Sequence, residues 1–186
     1  MIGFAMCGSY CTHAAALGQL RMLLSQEYEV QPIISENVFA TDTRFGKAAD
    51  LYKELQTLCG CDPIHTIVDA EPLGPSRPLD MLIICPCTGN TLAKLADGIT
   101  DTAVTMAAKA HLRSDRPLVI ALASNDALSA NLKNIATLLS RKHVYFVPMA
   151  QDDPQKKPHS LVADFSLLLP TIQGAKEGKQ YRKLFL

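Results

Sequence analysis

The residues best equipped for chemistry lie in Cys85-Pro86-Cys87-Thr88-Gly89-Asn90-Thr91, directly behind the apolar run Met81 to Cys85. Two hydroxyls and a carboxamide stand at the mouth of a segment whose Leu92, Leu95 and Ala96 recur at helical spacing. Pro86 cannot donate to a sheet ladder, and Gly89 permits close backbone approach. A strand that empties through a polar turn into a helix is where open α/β sheets bind ligands, with backbone amides facing an anion. The same Thr88, Asn90 and Thr91 serve equally well as an ordinary helix N-cap.

Three more polar turns follow apolar runs. Gly8-Ser9-Tyr10-Cys11-Thr12 follows Ile2 to Cys7 and resembles a phosphate cradle, with Ser9 and Thr12 hydroxyls beside unpaired amides. No Gly-Lys-Ser/Thr follows it, and Gly8 stands alone where a dinucleotide fingerprint needs three glycines. A mononucleotide phosphate and a plain capped turn both remain open. Ser35-Glu36-Asn37 follows Tyr28 to Ile34, and Ser124-Asn125-Asp126 follows Leu118 to Ala123. Glu36 sits where a ribose-binding acid would, but the missing fingerprint argues against that role. Arg44, in the polar loop Thr41–Gly46, can grip a carboxylate bidentately, or can pair with Asp42. Lys109 and His111 are weaker candidates for carboxylates, since charged helical residues mostly face solvent.

The elements that must position these groups are legible from periodicity. Helices are expected over 13–26, 47–58, 101–112 and 131–140. A strand-like piece is expected at 64–68, a last strand at 144–147, and a helix or strand at 161–169. Pro32 suggests an edge or a strand-end position for the second strand. Glu71 to Pro78 is too rich in Pro and Gly for regular structure, and the tail after about residue 170 is expected to fray. About five strands alternating with helices predict a single Rossmann-like domain over 1–186, a doubly wound parallel sheet with helices on both faces. The polar turns then gather on one edge.

Composition excludes as much as it suggests. Formal charge is zero, 18 basic against 18 acidic residues, so no bulk charge favours nucleic acid or an anionic membrane. No leader or membrane-spanning run is evident, which predicts a cytoplasmic chain with reduced thiols. Six cysteines, spaced CxxxC and twice CxC, fit metal ligation poorly, and no metal is expected.

Pro86-Cys87-Thr88-Gly89-Asn90-Thr91 followed by Leu92-Ala93-Lys94-Leu95-Ala96-Asp97-Gly98 resembles the P-A-S-A-N-T, I-A-K-x-A-x-G signature of the flavoproteins that include flavin-dependent cysteine decarboxylases. Within that group the chain more closely resembles the bacterial dipicolinate synthase B subunits, through TDTRFGKA, PIHTIVDAEPLGP, CPCTGNTLAKLADGITD, MAAKAHLR and QDDPQKKPHSLVADFS. The resemblance implies FMN on a Rossmann-like fold, trimers or multiples of trimers, and a spore-forming bacterium's mother cell. It also implies an A subunit carrying NADP or NAD. With it the chain would convert a dihydro- or hydroxytetrahydrodipicolinate precursor to dipicolinate, as an oxidoreductase component. The alternative is a non-catalytic subunit that activates or stabilises the A component. By motif, Gly8, Ser9 and Cys11 fall at the FMN-phosphate loop, Ser35 at the second cofactor loop, and Thr88, Gly89, Asn90 and Thr91 in the signature. Of the decarboxylases' P-x-M-N-x-x-M segment, Leu122 to Leu128 retains only Asn125, a candidate substrate contact with Arg44. His65 is no convincing counterpart of their catalytic His, and no cysteine follows Cys87. These departures count against cysteine decarboxylation, and no catalytic residue is assigned.

Overall fold

The structure is a computed structural model that describes residues 1–74, 76–181 and 183–186. Pro75, in the segment read as irregular, and Arg182, in the polar tail, lie outside the described residues.

Seven strands form one sheet. Strands β1 (Ile2–Met6), β2 (Val30–Ile34), β3 (Met81–Cys87), β4 (Leu118–Ser124) and β5 (Val144–Phe146) are parallel. Strands β6 (Met149–Ala150) and β7 (Leu161–Ala163) join antiparallel. The order is β2-β1-β3-β4-β7-β6, with β5 on the first half of β4 and β7 on its second half. Helices α1 (His13–Ser25), α2 (Glu36–Ala40), α3 (Ala48–Cys59) and α8 (Leu168–Lys176) pack one face. Helices α4 (Ile67–Ala70), α5 (Gly89–Asp97), α6 (Ala103–Leu112) and α7 (Leu132–Leu139) pack the other.

Alternation along each strand feeds these two cores. Ile2, Phe4 and Met6 face α1 and α8, whereas Ala5 and Cys7 face α5 and α6. On β4, Val119 and Ala121 alternate with Leu118, Ile120 and Leu122 in the same way. Both faces are covered, so the strands read as unbroken apolar runs.

Pro32 sits in an edge strand, as its type requires. Its neighbours Gln31 and Ile33 turn toward β1, while the outer side of β2 meets Ile64 through Ile34 N–H to Ile64 O at 2.8 Å and Ile64 N–H to Pro32 O at 3.0 Å. The missing proline donor therefore faces outward.

Several expectations need correction. The 64–68 piece is a single bridge at Ile64 followed by α4, and β3 runs on to Cys87 instead of ending at Cys85. Three steps along β3, from Ile84 to Cys87, oppose two along β4, from Ile120 to Leu122. The extra residue, at Pro86, turns the chain over. Cys85 thus faces α1 while Cys87, two residues later, faces α5 to α7. The polar turn at residues 35–37 opens α2, and α6 begins at Ala103 behind Asp101. The stretch after Pro170 is the body of α8, with Ile172 and Ala175 buried.

Candidate functional site

The order β2-β1-β3 makes the sheet's switch point. From β1 the chain crosses one way to β2, and β3 is then laid down on the other flank. The loops leaving β1 and β3 therefore diverge, and a crevice opens between them.

A cleft of about 510 Å³ occupies that crevice, within the range of roughly 300–1,000 Å³ typical of cofactor sites. Gly8 and Tyr10 come from the β1 loop, Ser35 and Asn37 from the β2 loop, and Thr88, Asn90 and Thr91 from the β3 loop. The floor is a relay of polar hydrogens. The Thr88 hydroxyl accepts the Thr91 amide at 3.2 Å, capping α5, and donates to the Thr91 hydroxyl at 3.1 Å. Thr91 in turn donates to Cys7 Sγ at 3.3 Å, tying the third loop to the first strand. Burial pushes the Cys7 thiol up to about 11, so it stays protonated. Burial raises the Cys85 and Cys87 thiols too.

The first loop supplies amides rather than side chains. Thr12 turns both its N–H (3.0 Å) and its hydroxyl (2.8 Å) to the Ser9 carbonyl. The amides of Gly8, Ser9 and Tyr10 find no turn or cap partner among the described residues. His13 holds the Cys7 carbonyl at 2.8 Å, and burial lowers its pKa. Neutral, it braces the loop without adding charge.

Charged groups complete the lining, among them Lys94 of the signature itself. Lys94 and Asp101 line the cleft as an ion pair, 2.9 Å between Nζ and Oδ1, and the lysine holds the Asp101 carboxyl below its usual range. Glu36 Oε1 accepts the Ala103 amide at 2.8 Å and so fastens α6 to α2. Its other oxygen is buried without a partner among the described residues. Beside them stand Thr41 and Thr102. Lys94 and Asp101 lie in the segments that carry the resemblance and Glu36 in a polar turn, but nothing in the sequence assigns them to the cleft; Thr41 and Thr102 carry no signal beyond polar type.

Of the residues assigned by motif, Gly8, Ser35, Thr88, Asn90 and Thr91 converge on the cleft. Ser9 and Cys11 do not line it. Cys11 is exposed and faces a neighbouring hollow of about 310 Å³ with His13 and Phe45. Gly89 points the other way: a Cβ there would stand 2.7 Å from Asn131 Nδ2 and 2.8 Å from Asp126 Oδ1. Arg44 is exposed with its guanidinium over Phe45, 4.9 Å from the ring centroid, and Asp42 instead accepts the Ala48 amide at 2.9 Å. Asn125 is exposed beyond β4, outside the cleft lining. His111 is buried at the opposite edge, bonded to the Pro117 carbonyl at 2.9 Å, so it faces neither solvent nor a ligand here. His65 stacks on Phe39, with centroids 3.9 Å apart.

The arrangement suits a polar ligand whose anionic group lies at the first loop: free amides there, hydroxyls and a carboxamide elsewhere, with Lys94 engaged by Asp101 and one Glu36 oxygen open as an acceptor. Its buried thiol is held protonated, which makes Cys7 a poor nucleophile.

Comparison with known proteins places the chain in a family. The chain is 45% identical over 185 residues to the dipicolinate synthase B subunit of Bacillus subtilis, covering 100% of this chain and 92% of that protein. The crystal structure of the dipicolinate synthase B subunit from Bacillus halodurans superposes with a TM-score of 0.91 at 39% identity, over 100% of this chain and 95% of that one. The FMN-dependent cysteine decarboxylase SpaF shares the fold at a TM-score of 0.67 and 23% identity, over 92% and 95% of the two chains. The Flavoprotein family profile matches residues 1–165, and the chain belongs to that family.

Proposed function

We propose that this chain is the flavoprotein component of a dipicolinate synthase, binding FMN in the switch-point cleft and working with an A subunit. The observation that carries this reading is the convergence of Gly8, Ser35, Thr88, Asn90 and Thr91, drawn from three separate loops, on one cleft of cofactor size. The similarity to two dipicolinate synthase B subunits over the whole chain supports the substrate class.

The residues fit the cofactor. Free amides at Gly8 and Tyr10, ahead of α1, suit a phosphate that needs donors more than countercharge. Ser35, Thr88, Asn90 and Thr91 offer both donors and acceptors to a polyol and a polar ring edge. Bound FMN would supply a two-electron acceptor for aromatising a dihydropyridine ring, the step that yields dipicolinate. The chain's own part is to orient: the Thr88–Thr91–Cys7 relay fixes the floor, and the Glu36–Ala103 bond fixes one wall. The NADP or NAD chemistry belongs to the A subunit, and the assembly is a homo-oligomer of trimeric type joined to that partner.

An absorption spectrum of the purified chain, taken before and after adding FMN and desalting, tests this. A retained and shifted flavin band is expected. Absence of flavin, alone and with the A subunit present, would leave the chain as an accessory to the partner dehydrogenase.

A further inference from the structure

A second pocket shares Lys94 with the cleft and opens where α5, α6 and α7 end. It encloses about 270 Å³. Its floor is apolar, made by Leu95, Ile99 and Leu112, and Ile99 remains 46% exposed. Its rim is cationic. Lys109 and Arg113 come from the last turn of α6 and its C-cap, and Arg141 from beyond α7.

No acidic side chain lines this pocket, and Lys109, Arg113 and Arg141 form no ion pair among the described residues. Arg141 Nη1 donates to the Leu95 carbonyl at 3.3 Å, so that guanidinium is held at the rim with its other donors free. Cations at helix C-termini complement the macrodipole, which accounts for their charge. It does not account for an open apolar floor between them. A flat ring would cover that floor, and carboxylates on its edge would reach the surrounding cations. A phosphate or sulfate would use the cations and leave the floor exposed.

We infer that the Lys109–Arg113–Arg141 pocket binds a small planar dicarboxylate, the substrate or product class of the proposed reaction, beside the flavin cleft. This deepens that reading and rests on it. The shared Lys94, anchored by Asp101, forms the wall between the two sites.

The test is titration calorimetry in metal-free buffer with pyridine-2,6-dicarboxylate, benzoate and sulfate as probes. The dicarboxylate should bind at one site per chain, about tenfold or more tighter than either control. Lys109→Gln and Arg113→Gln should each weaken it roughly tenfold, the scale of one lost charged hydrogen bond. Lys53→Ala, exposed on α3 and outside the pocket, should leave it unchanged. Equal affinity for all three probes, or unchanged affinity in both glutamine variants, overturns the inference. Flavin retention is read on the same samples. Flavin bound without dicarboxylate binding sinks the pocket alone, and dicarboxylate bound without flavin sinks the flavin reading alone.

Discussion

Gly89 shows how a residue type can be read correctly and its partner wrongly. Its type implies that backbone approaches something closely, and it does. What it approaches is the cluster in which Ser124 and Asn131 both donate to Asp126, with Asn134 donating to Asn131. Those side chains lock one another, so none can yield to a new methyl. Gly89→Ala should therefore lower stability by about 1–3 kcal/mol, the usual cost of overpacking. A urea midpoint equal to wild type would mean that the cluster relaxes freely. In contrast, Asn90 and Thr91 turn toward the cleft. Their double alanine variant should weaken FMN retention, and an unchanged flavin titration would remove them from the site. Asp126 adds a pH dependence. Hydrogen bonds from Ser124, then Asn131, hold its carboxyl below the usual range. A depressed folded-state pKa gives stability that is present above about pH 3.9, the unfolded value, and is lost as pH falls through the folded one. Asp126→Asn should flatten the acid limb of a stability–pH curve, and two parallel limbs would remove Asp126 from that transition.

At the scale of elements, the parallel strands are readable because both faces are buried, which leaves only apolar residues to write them. Thr88 reads as a cap or a ligand contact, and it is both a cap and a cleft wall. The elements that escape sequence reading are those decided by tertiary contact. Helix α2 is five residues long, too short for a period, and exists because Ser35 caps it and Val38 is buried. Pro86 marks a strand end by type, yet a one-residue bulge carries β3 past it. Glu36 lacks the fingerprint of a ribose contact, and nothing local shows that it caps α6 from 67 residues away. Helix α6 already holds a capping box between Thr102 and Thr105, so Glu36 satisfies a further amide that the box leaves over. Glu36→Ala should cost roughly 1–3 kcal/mol, the desolvation of an amide left without a partner. Glu36→Gln, whose carbonyl can still accept, should recover most of it. Equal midpoints for the two variants in denaturant would show that the bond does not fasten the two helices.

At the scale of the whole molecule, one sheet edge collects the loops that leave β1, β2 and β3, and at the opposite edge some buried groups brace the fold. His111 at Pro117 belongs to the second set, with burial lowering its pKa. Family signature and sheet order point to the same edge by independent routes, one through residues and one through chain crossings. The cleft is therefore a property of the fold that the loops decorate, and ligand occupancy should be felt by the whole sheet. FMN that binds only the folded chain stabilises it by about 2.7 kcal/mol at a hundredfold excess over Kd. For a chain of this length, each kcal/mol moves Tm by roughly 2–4 °C, so saturating FMN should raise Tm by about 5–11 °C. The Asn90→Ala, Thr91→Ala double variant should lose most of that rise, and its flavin-free Tm should fall by only a few degrees, since the Thr91–Cys7 tie is lost while Thr88 still caps α5. A rise of the same size in variant and wild type would place flavin elsewhere on the molecule. No rise in either, with or without the A subunit, would mean that the folded chain has no usable flavin site.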